Sequence, residues 1–392
     1  LDKFDRHKKK RDPEVDHISY EKWDGPKLPE RILVIRLHAA GDLASTFPAV
    51  NGLKKLLPDC MIDLLTSRKL KELAGAAGIF QNIYTIDLPQ YSLNDGVLKK
   101  LKQKAVVKTG TSKAVPLLKK NNYDIVIDLQ HNSISKSIRK KTGAEYYSEF
   151  DRYSAKPHAL RVLETIHRAG FGSVEYNFIK KNTDSLSEKA EGLLKKYGWD
   201  GTKKLIVLNP AGLWETRNWP LENYIELAGL LKQKDKDTVF ITIGDDFINR
   251  KAAFFIKSLG EDFINLAGKT SLAEAFCILG YCYGIVTEDS GLFHMAWARG
   301  VPAVLLLGST RNDWTNPAAG KVVCLNSEDL ECGNCMSDIC KYGDVRCLAR
   351  YTPEVVVKVL SKVLAAGNSL NTSYGAVPTA GEGAGLIEGI KD

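Results

Sequence analysis

The 392-residue sequence has no apolar run near the ~18–20 residues that span a bilayer. Val301–Gly308 is typical of its longest, so no membrane-spanning helix is expected. Leu1–Lys10 lacks an apolar core, so no signal peptide is expected either. Cysteine is scarce: there are eight, and only the four from Cys332 to Cys347 lie close together. A secreted disulfide scaffold would spread pairs through a much shorter chain, so the expected compartment is a reducing cytoplasm. Neither sign of charge dominates, with 55 Lys and Arg against 47 Asp and Glu, a net +8. That excess is too small for a histone-like binder, and no nucleic-acid partner is expected. With 44% hydrophobic and 26% charged residues, wholesale disorder, collagen-like repeats and coiled coil are excluded. The length suggests two domains at ~100–200 residues each.

What is present is an alternation of short apolar runs and helical periodicity. Arg31–Leu37, Met61–Leu65 and Asp124–Leu129 read as strands, and Leu43–Leu57 as a helix stopped by Pro58. The pattern fades over Gly170–Asp200 and restarts. Lys204–Asn209, Thr238–Ile243, Gly284–Thr287 and Val301–Leu307 then read as strands; Leu221–Lys232, Ser271–Leu279, Gly291–Arg299 and Pro353–Ala366 read as helices. Continuous apolar strands alternating with helices indicate parallel sheets covered on both faces. The expected architecture is α/β, two Rossmann-like doubly wound parallel-sheet domains with ligands at a crevice by the strand carboxyl ends. The expected boundaries are a polar extension over 1–30, a first domain over 31–172, a linker region over 173–200, a second domain over 201–366, and a glycine-rich disordered tail over 367–392.

Three common motifs fail. Gly268-Lys269-Thr270 resembles the end of a P-loop, but position 263 is Phe where that motif needs Gly. The single Gly41 after the first strand makes no dinucleotide fingerprint. Glu288 and Leu292 occupy the glycine positions of a nucleophile elbow around Ser290. Three polar clusters remain. Asp42 follows the first strand and fits either a helix N-cap, worth ~0.5–2 kcal/mol, or a base at a strand's carboxyl end. Glu288 to His294 (EDSGLFH) sits between a strand and a helix; the amides of Ser290 and Gly291 would form an anion site there, unless the segment is a plain N-cap with a surface His294. Asn209 to Pro220 is a polar loop in which Arg217 either grips a diphosphate or lies on the surface, while Trp219 and Pro220 fix the next helix.

In order and spacing, RILVIRLHAAGDLASTFPAVNGLKK, DIVIDLQ, NPAG…TRNWP, LAGKTSL and TEDSGLFHMAWARGVPAVLLLG resemble the heptosyltransferases of glycosyltransferase family nine, over roughly residues 31–365. The resemblance implies a GT-B type fold, an ADP-heptose donor in the second half, a lipopolysaccharide inner-core acceptor in the first, and inversion without an essential catalytic metal. It implies Asp42 as general base. It implies donor binding by Asn209, Arg217, Gly268, Lys269, Thr270, Asp289, Ser290, Gly291 and His294, with Asp245 or Asp246 on the ribose. Acceptor contacts would come from Gly41, Gln130, Lys136 and Arg139. Arg217 stands where the family usually has Lys, exchanging a point charge for a planar fork.

Cys332, Cys335, Cys340 and Cys347 place four thiols in one polar loop, within residues 325–350. They fit a structural zinc or iron ion, or four reduced cysteines. Two other functions compete: transfer of heptose to a protein acceptor, and a non-catalytic nucleotide- or metal-binding module. The charge is polarised as well. Asp95–Glu145 holds twelve Lys and Arg against four acids, which equals the net charge of the whole chain. That patch is either a solvated face or a steering surface for anionic lipid A and Kdo groups at the inner face of the inner membrane, where the protein would sit peripherally.

Overall fold

A computed structural model describes residues 18–89, 97–180, 185–317, 319–366 and 370–374; for 97–104 and 370–374 it describes the backbone alone. The chain divides into two compact units, Leu1–Ile179 and Lys180–Asp392. In the first, β1 (Tyr20–Glu21), β2 (Arg31–Ile35), β3 (Met61–Ser67), β4 (Ile83–Ile86), β5 (Ile125–Asp128) and β6 (Tyr146–Glu149) form one sheet ordered β1-β6-β5-β2-β3-β4. All its pairs are parallel except the short β1–β6 pair. In the second, β7 (Lys204–Asn209), β8 (Thr238–Thr242), β9 (Phe263–Asn265), β10 (Cys282–Glu288), β11 (Ala303–Leu306), β12 (Lys321–Leu325) and β13 (Leu370–Tyr374) form a parallel sheet ordered β13-β12-β11-β10-β7-β8-β9.

The two units repeat one winding. In each, the first parallel strand lies at the centre, the second and third extend to one side, and the fourth and fifth to the other. The strand order therefore reverses between β2 and β5 and again between β7 and β10. At such a point neighbouring loops leave in opposite directions and open a crevice at the carboxyl ends. Ile35 pairs with Asp128 at the first point and Asn209 with Thr287 at the second. The strands are apolar throughout because helices cover both faces: Ile32, Leu33, Val34 and Ile35 are all fully buried. The second core is aromatic-rich. Trp219 packs edge-on against Tyr224 at 4.8 Å between ring centres and donates from Nε1 to the Tyr351 carbonyl at 2.8 Å. Trp219 and Pro220 thus fix the start of helix Leu221–Lys234, as the sequence suggests.

The structure departs from the sequence reading at four places. The expected helix Leu43–Leu57 is two helices, Ala40–Ala44 and Phe47–Leu56. Pro48 begins the second and supplies no amide to a continuous ladder, while the Ser45 and Thr46 hydroxyls bond back to the Asp42 and Leu43 carbonyls. The region 173–200 is no simple linker. Its helix Ser185–Lys196 belongs to the second unit, with Ala190 and Leu194 fully buried and the Ser187 carbonyl accepting from Tyr281 at 2.9 Å. Within the expected tail, Leu370–Tyr374 pairs with β12; Leu-Asn-Thr-Ser-Tyr lacks the apolar run that marks a strand because its ladder rests on backbone bonds at a sheet edge. The remainder of the tail from 375, and residues 1–17 of the extension, lie outside the described residues. The rest of the extension packs on the first unit: Ser19 donates to Glu149 from both its amide and hydroxyl, and Trp23 meets Tyr146 edge-on at 4.8 Å. Among the described residues no helix is long and apolar enough to cross a membrane.

Helix Phe47–Leu56 approaches the segment after the first sheet so closely that a Cβ on Gly52 would lie 1.9 Å from the Glu175 carbonyl oxygen. The obstacle is backbone and cannot rotate away. Gly52→Ala is expected to destabilise the protein by ~1–3 kcal/mol, an overpacking cost, despite the better helix propensity of Ala. A lower urea midpoint would show this; an unchanged or higher one would overturn it.

Candidate active site

At the second reversal point the organising side chain is Glu288, the last residue of β10, with no exposed surface. Its carboxylate accepts from the Gly212 amide, from the Trp219 amide at 2.7 Å and from the Tyr224 hydroxyl at 3.4 Å. These bonds fasten both ends of the Gly212–Trp219 loop to the carboxyl end of β10, the middle strand of the sheet. Lys251, from helix Asp246–Leu259, holds the same loop from the other side, donating to the Pro210 carbonyl at 2.7 Å and to Asn218 Oδ1. Sequence reading passes over Lys251 and names Glu288, as the first residue of its cluster, with no role. The available signal for Glu288 is an acid ending an otherwise apolar buried strand.

The loop so fixed carries Arg217. Its guanidinium lies over the Trp214 ring at 3.8 Å, and Nη1 is 3.3 Å from Asp289 Oδ2. Burial pushes the Arg217 pKa down and the Asp289 carboxylate opposes this. Ser290 caps helix Gly291–Ala298, its hydroxyl accepting from the Phe293 amide at 3.3 Å. The cap satisfies one amide of the first turn, and the earlier amides of that turn have no intrahelical acceptor. Asn209 serves the frame: its amide donates to Thr287 Oγ1 at 2.7 Å and to Ser290 Oγ at 2.8 Å, clamping β7 to the cap. His294, half-buried, lies in the first turn with its ring 5.1 Å from that of Phe293.

Gly268, Lys269 and Thr270 follow β9. Gly268 has φ +73, and a Cβ there would meet Asp246 Oδ1 at 2.8 Å, so the Asp246 carboxylate lies directly against the glycine. Lys269 folds back, donating to the Asn265 carbonyl at 2.8 Å with its ammonium 4.5 Å from the centre of the Tyr197 ring. The two candidate ribose carboxylates have different surroundings. Asp245 is the N-cap of its helix, accepting from Phe247 and Ile248 amides, whereas Asp246 is exposed beside the Gly268 turn.

At the first reversal point Asp42 is not an N-cap. The cap position is Ala39, with φ 60, and Asp42 lies in the first turn of helix Ala40–Ala44 beside the buried Gly41. Arg36 donates from Nη2 to Asp42 Oδ2 at 2.5 Å and from Nη1 to the Leu129 carbonyl at 2.5 Å. His158 Nε2 lies 4.0 Å from Asp42 Oδ1. Gln130 ties the two loops together, its Oε1 accepting from the Leu37 and His38 amides at 2.9 and 3.1 Å. Arg139 is buried, bonded to Glu149 at 2.5 Å and stacked 3.7 Å over Tyr147, so its guanidinium is committed to the fold. Lys136 is 41% exposed, with Nζ 3.7 Å from Glu149. Burial raises the Glu149 pKa, but bonds from Ser19 and the charges of His131 and Arg139 bring it below the ordinary value.

The four clustered cysteines line one cavity of about 140 Å³ with Thr216, Ser309 and Arg346. All are free thiols, and among the described residues no group of three or more His, Cys, Asp or Glu is arranged to hold a metal ion. The expected structural zinc or iron ion thus has no support among the described residues. Burial, then the neighbouring thiols, pushes Cys347 up to about 11, whereas at Cys340 burial is outweighed by backbone amides, which bring the thiol below its ordinary value.

Burial pushes the Glu288 carboxyl up to about 7, opposed by Lys251 and the Gly212 and Trp219 amides. An unfolded Glu titrates near ~4.3. The folded value is the higher one, so this group's contribution is fully present below about pH 4 and is lost as pH rises through about 7. Wild type is expected to lose roughly 3 kcal/mol more between those limits than Glu288→Gln, which cannot ionise there. Urea unfolding of both proteins across this range measures the difference; parallel curves would overturn the assignment.

A family model described as glycosyltransferase family 9 (heptosyltransferase) matches residues 113–346. Lipopolysaccharide heptosyltransferase 1 of Pseudomonas aeruginosa is 22% identical over 374 residues, covering 87% of this chain and 99% of that protein. Lipooligosaccharide heptosyltransferase 2 of Haemophilus influenzae is 30% identical over 168 residues, 42% of this chain and 49% of the relative. In fold, the family 9 glycosyl transferase of Veillonella parvula matches with a TM-score of 0.70 at 20% identity, over 86% of this chain and 97% of that one. The ADP-heptose lipopolysaccharide heptosyltransferase II of Escherichia coli matches at 0.63, also at 20% identity, over 86% and 98%. With the paired parallel sheets, the two reversal points and a match across most of the chain, the protein belongs to glycosyltransferase family 9, the heptosyltransferases.

Proposed function

We propose that this glycosyltransferase transfers a heptose from ADP-heptose to a lipopolysaccharide inner-core acceptor with inversion, using Asp42 as general base. The observation that carries the reading is the Arg217–Asp289 pair beside the capped helix start at Ser290. A diphosphate arriving there would take Arg217 and the first-turn amides, freeing Asp289 for sugar hydroxyls. As the anomeric carbon–oxygen bond breaks, negative charge grows on the departing diphosphate, and a fixed guanidinium with helix amides stabilises it without an essential divalent cation. Asp246 is the carboxylate proposed for the ribose, because Asp245 is spent as a cap. The backbone of Gly268–Thr270 is proposed for the adenine, because the Lys269 side chain folds away.

On the acceptor side, Arg36 keeps Asp42 ionised and aimed, so that it accepts the proton of the attacking hydroxyl. Gln130 and Arg139 organise the surrounding loops, leaving Lys136 as the acceptor contact among the side chains first considered. The lysine patch is proposed to draw the polyanionic acceptor and to dock the protein peripherally on the inner face of the inner membrane. Supporting this, Lys108, Lys113, Lys119 and Lys120 are exposed on helix Val97–Lys120, and Lys140 and Lys141 on helix Ser133–Thr142 packed beside it.

Release of ADP from ADP-heptose, with a truncated lipid A–Kdo acceptor, tests the reaction. Asp42→Asn is expected to bind the donor normally and to lose ~10²–10⁴-fold in turnover. Near-normal turnover would refute the base, and release only with a peptide acceptor would move the reading to protein glycosylation. For docking, combining Lys108→Gln, Lys113→Gln, Lys119→Gln and Lys120→Gln should weaken sedimentation with phosphatidylglycerol vesicles at least ~10-fold, at ~1 kcal/mol per lysine. Unchanged sedimentation would return the patch to a solvated face.

A further inference from the structure

We propose that His158 is the proton-accepting partner of Asp42, taking over the acceptor's proton during glycosyl transfer. The inference rests on Asp42 being the base and adds where the proton goes. Asp42 alone is a poor store for it. Arg36 is buried and doubly anchored, to Asp42 Oδ2 and to the Leu129 carbonyl. A cation held there favours carboxylate over carboxylic acid, so a proton left on Asp42 would lose that stabilisation. An ordinary imidazole is the stronger base by roughly 2.6 pH units.

The hydrogen bonds around the ring fix which nitrogen can receive. The Ser45 hydroxyl has a single proton and donates it to the Asp42 carbonyl at 2.9 Å. With that proton on the carbonyl, we assign its 2.7 Å contact with His158 Nδ1 as one in which Nδ1–H donates and the hydroxyl oxygen accepts. In the neutral ring this leaves Nε2 as the basic nitrogen. Nε2 is the atom 4.0 Å from Asp42 Oδ1, the carboxylate oxygen opposite the one Arg36 holds. The gap is of the size that catalytic contacts show before substrate tightens them or one water bridges them. The ring is further held at 5.0 Å from Phe150, over whose face the Arg36 and Arg161 guanidiniums also lie, at 5.8 and 5.1 Å. Among the charged groups, Asp42 lies against the ring, Arg36 and Arg161 share the Phe150 face with it, Asp151 and Arg152 follow Phe150, and Glu164, His167 and Arg168 lie further along its own helix.

The step balances. The acceptor oxygen bonds to the anomeric carbon as its O–H bond breaks and the proton passes to Asp42 Oδ1. The bond from the anomeric carbon to the diphosphate oxygen breaks, and its electron pair leaves with the diphosphate. The proton then moves from Oδ1 to Nε2, leaving an imidazolium beside a carboxylate that is again paired with Arg36.

His158→Gln is expected to lower kcat 10- to 100-fold with donor and acceptor KM within twofold of wild type. The acid limb of kcat/KM against pH, which follows imidazole ionisation in wild type, should shift to lower pH in the variant. In His158→Ala, added imidazole should restore turnover in a saturable way. Normal kcat in His158→Gln, or a loss with an unmoved acid limb and no imidazole rescue, would overturn the proposal. Asp42→Asn separates the two ideas. If it is inactive while His158→Gln is normal, only the transfer to His158 fails. If it stays active, the base reading fails and this proposal with it. A urea midpoint of each variant within reach of wild type confirms that the first unit, which holds both residues, is folded.

Discussion

A carboxylate with no exposed surface carries a desolvation cost that only well-placed donors can offset. Glu288 meets that condition by drawing in the Gly212 and Trp219 amides and the Tyr224 hydroxyl, and Lys251 secures the same backbone from outside. The loop between Gly212 and Trp219 then has little freedom, and the position of Arg217 follows from it. Asp289, the next residue along, faces Arg217, so two adjacent acids hold the loop in different ways. Glu288 grips its backbone and Asp289 holds its charged tip. The cap at Ser290 and the Asn209 clamp complete a frame in which almost every polar group is engaged.

The two units apply one arrangement to different ends. Each sets an arginine–aspartate pair beside the reversal point of its sheet. In the first, Arg36 bonds Asp42 at 2.5 Å and is itself anchored to the backbone, which holds the carboxylate in place. In the second, Arg217 stands 3.3 Å from Asp289 and rests on an aromatic face, a looser contact that a more highly charged partner can displace. The same residue types thus make an anchored pair in one place and a looser one in the other.

The architecture was legible because strands buried on both faces leave unbroken apolar runs, and β2, β5, β7 and β10 stand out on that ground alone. So did the loops after them, since polar residues at strand ends are conspicuous against those runs. Segments held by backbone bonds rather than side-chain burial were not legible, β13 and the short β1 above all. Within the candidate site, Asp42 and Arg217 were singled out from local context and Asp289 through the family resemblance, but the side chains around them were not. Arg36, His158 and Lys251 act across six to more than a hundred positions of sequence, and no local pattern encodes which side chain will meet which. The same limit explains Gln130 and Arg139, for which the resemblance implied ligand contact and whose bonds go to the Leu37 and His38 amides and to Glu149. It explains the cysteines as well.

The bonds that join β7 to β10 link residues 69 to 81 positions apart, from Trp219–Glu288 to Asn209–Ser290. Closing a loop of that length costs entropy that a local contact does not. The frame around Arg217 therefore stands on a long-range closure that encloses β8, β9 and their helices. It also reports on the whole: a unit in which Glu288 has found its partners is one whose sheet has closed at the centre.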